Sequence, residues 1–144
     1  MFDDAKLTDM FQFLRIEKES FTCDRENWWS FIMSLSQITV MRIDNELVGY
    51  YMCYGNHHEY YLESLAVAKK HRGKGYSKML LDHFLNNNTA DHYSLHVADG
   101  NFVALRLYEQ NGFNIVGTEK NFYEDGSLAF VLQRNENHHR PRIR

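Results

Sequence analysis

The chain is short of the residues that staple, break or anchor a polypeptide. It has a single proline, Pro141, and two cysteines, Cys23 and Cys53. Two cysteines cannot build a disulfide scaffold, so a reducing compartment, the cytoplasm, is expected. No apolar run reaches the roughly 18 residues a membrane span needs, so no membrane partner is expected. The opening MFDDAKLTDM lacks the basic, apolar and small-residue zones of a signal peptide. Net charge is also scarce, at -3. Basic residues gather only between Lys69 and Lys78 and in the tail after Arg134, which excludes the broad basic footprint of a nucleic-acid binder. There is no repeat and no low-complexity tract.

Aromatic residues are abundant, at 15% of the 144 residues, mostly Tyr and Phe. Rings can fill a core or line a groove, and composition does not choose between the two. The length suits one domain, expected over residues 1–134, with a polar, flexible tail over 135–144. Asp4 to about Glu19 reads as a helix, with Leu7, Met10, Phe11, Phe13 and Leu14 on its apolar face. Asp24 is placed to cap a second helix through Trp28, Trp29, Ile32 and Met33. Ile38–Ile43 and Leu47–Tyr54 read as strands joined at Asp44-Asn45, and Tyr60–Val67 as a third strand. A helix from Tyr76, a strand over Tyr93–Val97, a helix after Asn101, and strands over Phe113–Val116 and Leu128–Leu132 complete the order. That order predicts a mixed α/β sheet with helices on its faces. The chain starts where a first strand would stand, so that strand is expected to be missing or very short.

Chemistry concentrates in Leu65-Ala66-Val67-Ala68-Lys69-Lys70-His71-Arg72-Gly73-Lys74-Gly75-Tyr76-Ser77. A strand ends, a basic turn with two glycines follows, and a helix begins. Helix N-terminal amides are unpaired and partly positive, so they suit phosphate. Gly73 and Gly75 permit close approach of backbone to ligand, and Arg72 and Lys74 add charge. The Walker spacing is absent, and Lys78 stands where a dinucleotide fingerprint needs its third glycine. A plain surface turn with helix-capping glycines is the alternative.

Arg72-Gly73-Lys74-Gly75-Tyr76-Ser77 resembles the acetyl-CoA signature R/Q-x-x-G-x-G/A of GCN5-related N-acetyltransferases (GNAT enzymes), with Ser77 in place of a Gly or Ala. Asn101, Ala104, Leu107, Tyr108 and Gly112-Phe113 resemble a second segment of the family, N-x-x-A-x-x-L-Y-x-x-x-G-F. The resemblance covers roughly residues 5 to 133, by the order of elements. It implies a central sheet of about six or seven strands flanked by four helices, with splayed parallel strands forming the acetyl-CoA cleft. It also implies that acetyl-CoA is the co-substrate and that no metal is used. The backbone of Leu65, Ala66 and Val67 would pair with the pantetheine arm. The amides from Arg72 through Gly73, Lys74, Gly75 and Tyr76 to Ser77 would hold the pyrophosphate. Asn101 would cap its helix and touch the cofactor.

Tyr108 follows Asn101 by two helical turns and shares its side. The resemblance makes it the group that donates a proton or hydrogen bond to the departing thiolate; core packing is the alternative role. A base must also deprotonate the acceptor ammonium, and the candidates are Tyr61, Glu63 and His96. Tyr61-Leu62-Glu63-Ser64-Leu65, Leu95-His96-Val97 and Lys120-Asn121-Phe122-Tyr123 resemble N-terminal α-amino acetyltransferases and, in general layout, ribosomal-protein alanine acetyltransferases. That narrower resemblance implies a water polarised chiefly by His96 with Tyr61 assisting, Glu63 as the fallback, and Phe122 and Tyr123 holding substrate. A neutral groove of Trp28, Phe122 and Tyr123 would suit a peptide, whereas a cleft lined by Glu26, Glu59 and Glu63 would suit a polycationic small amine. The segment Phe21-Thr22-Cys23-Asp24-Arg25 departs from the Pro- and aromatic-rich loop common among α-amine enzymes.

The expected activity is therefore acetyl transfer from acetyl-CoA to a primary amine, a protein N-terminus or lysine, by direct attack in a ternary complex. A small-molecule amine acetyltransferase and a non-catalytic acetyl-CoA-binding module are the alternatives. A monomer or homodimer is expected. The adjacent pairs His57-His58 and His138-His139 lack the i, i+4 spacing of a helical zinc site, so they are expected to be surface histidines.

Overall fold

The computed structural model describes residues 1–21 and 28–136. The chain forms β1 (Phe2–Asp4), α1 (Met10–Ser20), α2 (Trp28–Met33), β2 (Ile38–Ile43), β3 (Glu46–Gly55), β4 (Glu59–Val67), α3 (Tyr76–Asn87), β5 (His92–Ala98), α4 (Phe102–Gln110), β6 (Asn114–Glu119) and β7 (Ala129–Asn135). The seven strands follow the order β1-β2-β3-β4-β5-β7-β6 in one sheet. This is the expected mixed α/β architecture, with seven strands and four α-helices among the described residues. None of these helices is long and apolar enough to cross a membrane.

The chain divides into two compact units. The first comprises Met1–Cys53 and Glu63–Asn87. Here β1, β2 and β3 run antiparallel, from Phe2↔Met41 to Ile38↔Met52. Asp44 and Asn45 form the tight turn with φ of 50° and 64°, the left-handed pair that fits the twist of a two-residue hairpin. β3 is buried continuously from Leu47 to Cys53, which means both of its faces are covered. On one face Tyr50 packs with Phe13 and Phe13 with Phe31, at ring-centroid distances of 4.5 and 4.8 Å. On the other, Tyr51 meets Phe84 of α3 edge to face. Gly49 permits the fit, since a Cβ there would lie 2.8 Å from the Ala66 carbonyl oxygen and 2.9 Å from Leu80 Cδ1.

The first strand is present and very short, with only three residues, Phe2–Asp4. Consequently α1 starts at Met10 rather than near Asp4, because residues 2–4 are held by pairing to β2. The buried face of α1 is Phe13, Ile16 and Glu17, whereas Leu7 and Phe11 are exposed. The Asp24 cap lies outside the described residues.

The second unit comprises Tyr54–Leu62 and residues from Asn88 onward. The start of β4 pairs parallel with β5, from Glu59↔His92 to Leu62↔Leu95. β5 and β6 each pair antiparallel with β7, which therefore lies between them. Leu62, Tyr93, Leu95, Val97, Tyr108, Phe113, Ala129 and Leu132 are buried.

Candidate active site

In the first unit the glycine turn joins β4 to α3. Gly73 and Gly75 adopt φ of +79° and +82°, and a Cβ on either would meet nothing within 4 Å. Internal packing therefore does not demand glycine here; backbone conformation does, and the space beside it is open. α3 has 12 residues and no acidic side chain in its first turn, so its amides present an uncontested positive end. Arg72 faces inward. Its Nε donates to the Val67 carbonyl oxygen at 3.1 Å, and its terminal nitrogen donates to the Glu19 carbonyl oxygen at 3.3 Å and Ser20 Oγ at 3.1 Å. The Arg72 amide donates to Lys69 O at 3.3 Å. Arg72 thus braces the turn against the end of α1.

Neighbouring cations are also engaged. Lys70 pairs with Glu46, Lys78 with Asp82 at 2.5 Å, and Lys74 Nζ lies 3.5 Å from His71 Nδ1. Lys70 first, and His71 after it, hold the Glu46 carboxyl below its ordinary range against desolvation. His71 Nε2 lies 3.4 Å from Glu46, outside hydrogen-bond geometry. Leu65 is half-buried and Ala66 and Val67 are buried on β4. Glu63 is half-buried on the same strand.

The second unit brings the other candidates together. Tyr61 Oη and His96 Nδ1 are 2.7 Å apart. His96 Nε2 lies 3.1 Å from Glu119 Oε1. Phe122 is stacked on the imidazole, with centroids 4.1 Å apart and planes within 5°. Tyr123 meets Phe122 edge to face at 4.9 Å. The loop holding these rings is closed by Phe122 N–H donating to Ser127 O at 3.2 Å and Gly126 N–H donating to Tyr123 O at 2.8 Å.

Asn101 caps α4, its side-chain oxygen accepting from the Ala104 amide at 3.2 Å. Tyr108 is buried on α4 and meets Phe113 edge to face. Burial first, and the neighbouring Tyr123 second, push its phenol well above the ordinary tyrosine range.

Glu119 was not among the expected site residues. Its only signal in the sequence is its position, directly before the Lys120-Asn121-Phe122-Tyr123 segment. Trp28 opens α2 with its backbone; its side chain, like Glu26 as a whole, lies outside the described residues. Glu59 accepts from Ser94 Oγ at 3.1 Å. Among the described residues, no group of three or more His, Cys, Asp or Glu is placed to hold a metal.

The chain is similar to known proteins. N-alpha-acetyltransferase 50 of Danio rerio is 26% identical over 121 residues, covering 76% of this chain and 72% of the relative. Among solved structures, Ard1 from Thermoplasma volcanium matches with a TM-score of 0.86 at 22% identity, covering 94% of this chain and 96% of that one. Arabidopsis thaliana Naa50, solved in complex with the bisubstrate analogue CoA-Ac-MVNAL, matches with a TM-score of 0.79 at 21% identity, covering 94% and 97%. These two structural likenesses establish the fold. The sequence profile of the acetyltransferase (GNAT) family matches residues 5–113, which takes in the glycine turn, Tyr61, His96 and the α4 segment alike, and the chain belongs to that family.

Proposed function

We propose that the protein transfers an acetyl group from acetyl-CoA to the α-amine at the N-terminus of a protein or peptide, in the cytoplasm, by direct attack in a ternary complex. The observation that carries this reading is Tyr61 bonded to a His96 whose face is covered by Phe122. A proton acceptor and an aromatic loop able to hold a peptide backbone are joined in one cluster. The relatives point the same way, since the Danio rerio protein is named an N-alpha-acetyltransferase.

The residues of the glycine turn fit coenzyme A. Two left-handed glycines border open space at the start of a 12-residue helix, an arrangement suited to a pyrophosphate. Gly73, Lys74, Gly75, Tyr76 and Ser77 would hold it through their amides, with Arg72 keeping the turn in shape. Leu65, Ala66 and Val67 would offer strand backbone to the pantetheine arm, and Asn101 would approach from the cap of α4. Acetyl-CoA supplies an acetyl thioester, already activated toward an amine.

Tyr61 and His96 take the proton from the acceptor ammonium, with Glu63 in reserve. Tyr108 serves the leaving sulfur. A thiol titrates near 8.5 and an ordinary phenol near 10, and burial raises Tyr108 further. The proton therefore stays on oxygen, and Tyr108 acts as a hydrogen-bond donor rather than a full acid. Phe122 and Tyr123 contact the peptide.

The test is an acceptor panel with the full chain and acetyl-CoA, following release of the CoA thiol. Peptides with a free α-amine should exceed N-blocked lysine peptides and spermidine by at least about tenfold in kcat/KM. Turnover confined to blocked lysine peptides or to spermidine overturns the assignment.

A further inference from the structure

Both ring nitrogens of His96 are engaged, and in the neutral imidazole the identity of the partners fixes which one carries hydrogen. Glu119 Oε1 stands 3.1 Å from Nε2. An ionised carboxylate only accepts, so Nε2 must be the N–H. A neutral imidazole has one N–H, which leaves Nδ1 bare. Tyr61 Oη, 2.7 Å from Nδ1, must then be the donor of that bond. Ring rotation is restricted, because Phe122 covers one face at 4.1 Å and the side chain is 15% exposed.

We propose that Glu119 is a positioning residue that holds His96 as the Nε2–H tautomer, so that Tyr61 Oη, not the imidazole, receives the proton of the acceptor ammonium. This rests on Tyr61 and His96 forming the base. With its hydrogen directed at Nδ1, the phenolic oxygen keeps lone pairs that can accept a proton. An ammonium N–H bond breaks and a new Tyr61 O–H bond forms, while the original Tyr61 proton passes to Nδ1. Tyr61 is unchanged by the exchange, the amine gains its lone pair, and His96 becomes an imidazolium beside the Glu119 carboxylate. The same logic applies wherever a carboxylate orients a histidine from behind.

Long-range proton–nitrogen NMR on the histidine-labelled full chain reads the tautomer directly, with His96→Gln identifying the signal. The wild type should show Nε2–H alone, and Glu119→Ala a mixture of tautomers. Glu119→Ala should also lower kcat by about 10- to 100-fold, with the acetyl-CoA Kd and acceptor KM within about twofold. Glu119→Gln, which keeps an acceptor oxygen, should restore the single tautomer and part of kcat. Glu119 is 52% exposed on its side chain, so these variants should fold. An Nδ1–H tautomer in the wild type, or full turnover in Glu119→Ala, overturns the proposal. Tyr61→Phe separates it from the underlying reading: full turnover in that variant removes the Tyr61–His96 base, whereas lost turnover there with full turnover in Glu119→Ala removes Glu119 alone.

Discussion

The ring of Phe122 lies flat against the imidazole of His96, within 5° of parallel. The loop expected to hold the substrate therefore also holds the proposed base. A stacked pair contributes about 0.5–1.5 kcal/mol beyond its buried area, which is up to about tenfold in an equilibrium constant. Phe122→Leu should raise the acceptor KM and lower kcat by up to about tenfold each, while Phe122→Tyr should keep both near wild type. Calorimetric titration should show unchanged acetyl-CoA affinity. A fall in cofactor affinity as large as the kinetic loss would contradict this separation of roles.

Gly75 should be needed for cofactor binding more than for folding. Its φ of +82° strains any side chain, at about 1–2 kcal/mol, and a Cβ would enter the open space where the pyrophosphate is proposed to lie. Gly75→Ala should weaken acetyl-CoA by at least about tenfold. Gly112→Ala is the matched control: φ is +88° and the added Cβ would meet only the Arg134 side chain, at 3.5 Å. Similar losses of thermal stability are expected in both, with a loss of affinity in the first alone. Equal losses of affinity would place the cofactor elsewhere.

Tyr108→Phe removes one hydroxyl from a buried ring. The fold and the acetyl-CoA Kd should persist, and kcat should drop about 10- to 1000-fold. Because burial and Tyr123 raise the phenol above its usual range, Tyr108 keeps its proton at neutral and mildly alkaline pH. The kcat profiles of wild type and variant should therefore run parallel from pH 6 to about 9. A variant with full turnover, or one that loses a limb of the profile, would refute the donor role.

Asp9 and Arg42 tie the 3-10 turn Leu7–Asp9 to β2 through two hydrogen bonds of 2.9 and 2.7 Å. Burial raises the Asp9 carboxyl, but the Arg42 bonds, the Lys6 amide at 2.8 Å and both side-chain charges outweigh it, so the net shift is downward. A lowered carboxyl pKa gives stability that is complete above the unfolded value near 4 and disappears as pH falls through the folded value. Asp9→Asn should cost about 2–3 kcal/mol at pH 7 and should flatten the decline in stability below about pH 4. Denaturant titrations at pH 7 and 3 would measure both, and an unaltered decline would refute the linkage.

The sequence was most legible where its signals are local. The Asp44-Asn45 hairpin, the strand-turn-helix around Gly73 and the cap at Asn101 each follow from residues a few positions apart. β1 was not legible, because its three residues are a strand only through pairing with Thr39–Met41, and Phe11 looked interior because periodicity counts it with Phe13 although only Phe13 points at Tyr50. Glu119 was hidden for a similar reason. It reaches His96 because β7 is inserted between β5 and β6, a pairing no stretch of sequence announces. Tyr61 and His96 could be named from motif resemblance, but not the bond between them.

The bonding of Arg72 to its own chain bears on how this sequence is free to vary. Its guanidinium bonds to main-chain carbonyls and a serine, and two of the nearby lysines face acidic neighbours. An anion seated at the start of α3 would be gripped chiefly by amides, which every residue but proline carries. Surface lysines around the turn could then drift through neutral replacements over many generations with little loss of grip. Gly73 and Gly75 have no such latitude, and Arg72 is constrained as a strut, so lysine would be a poor heir to it despite equal charge.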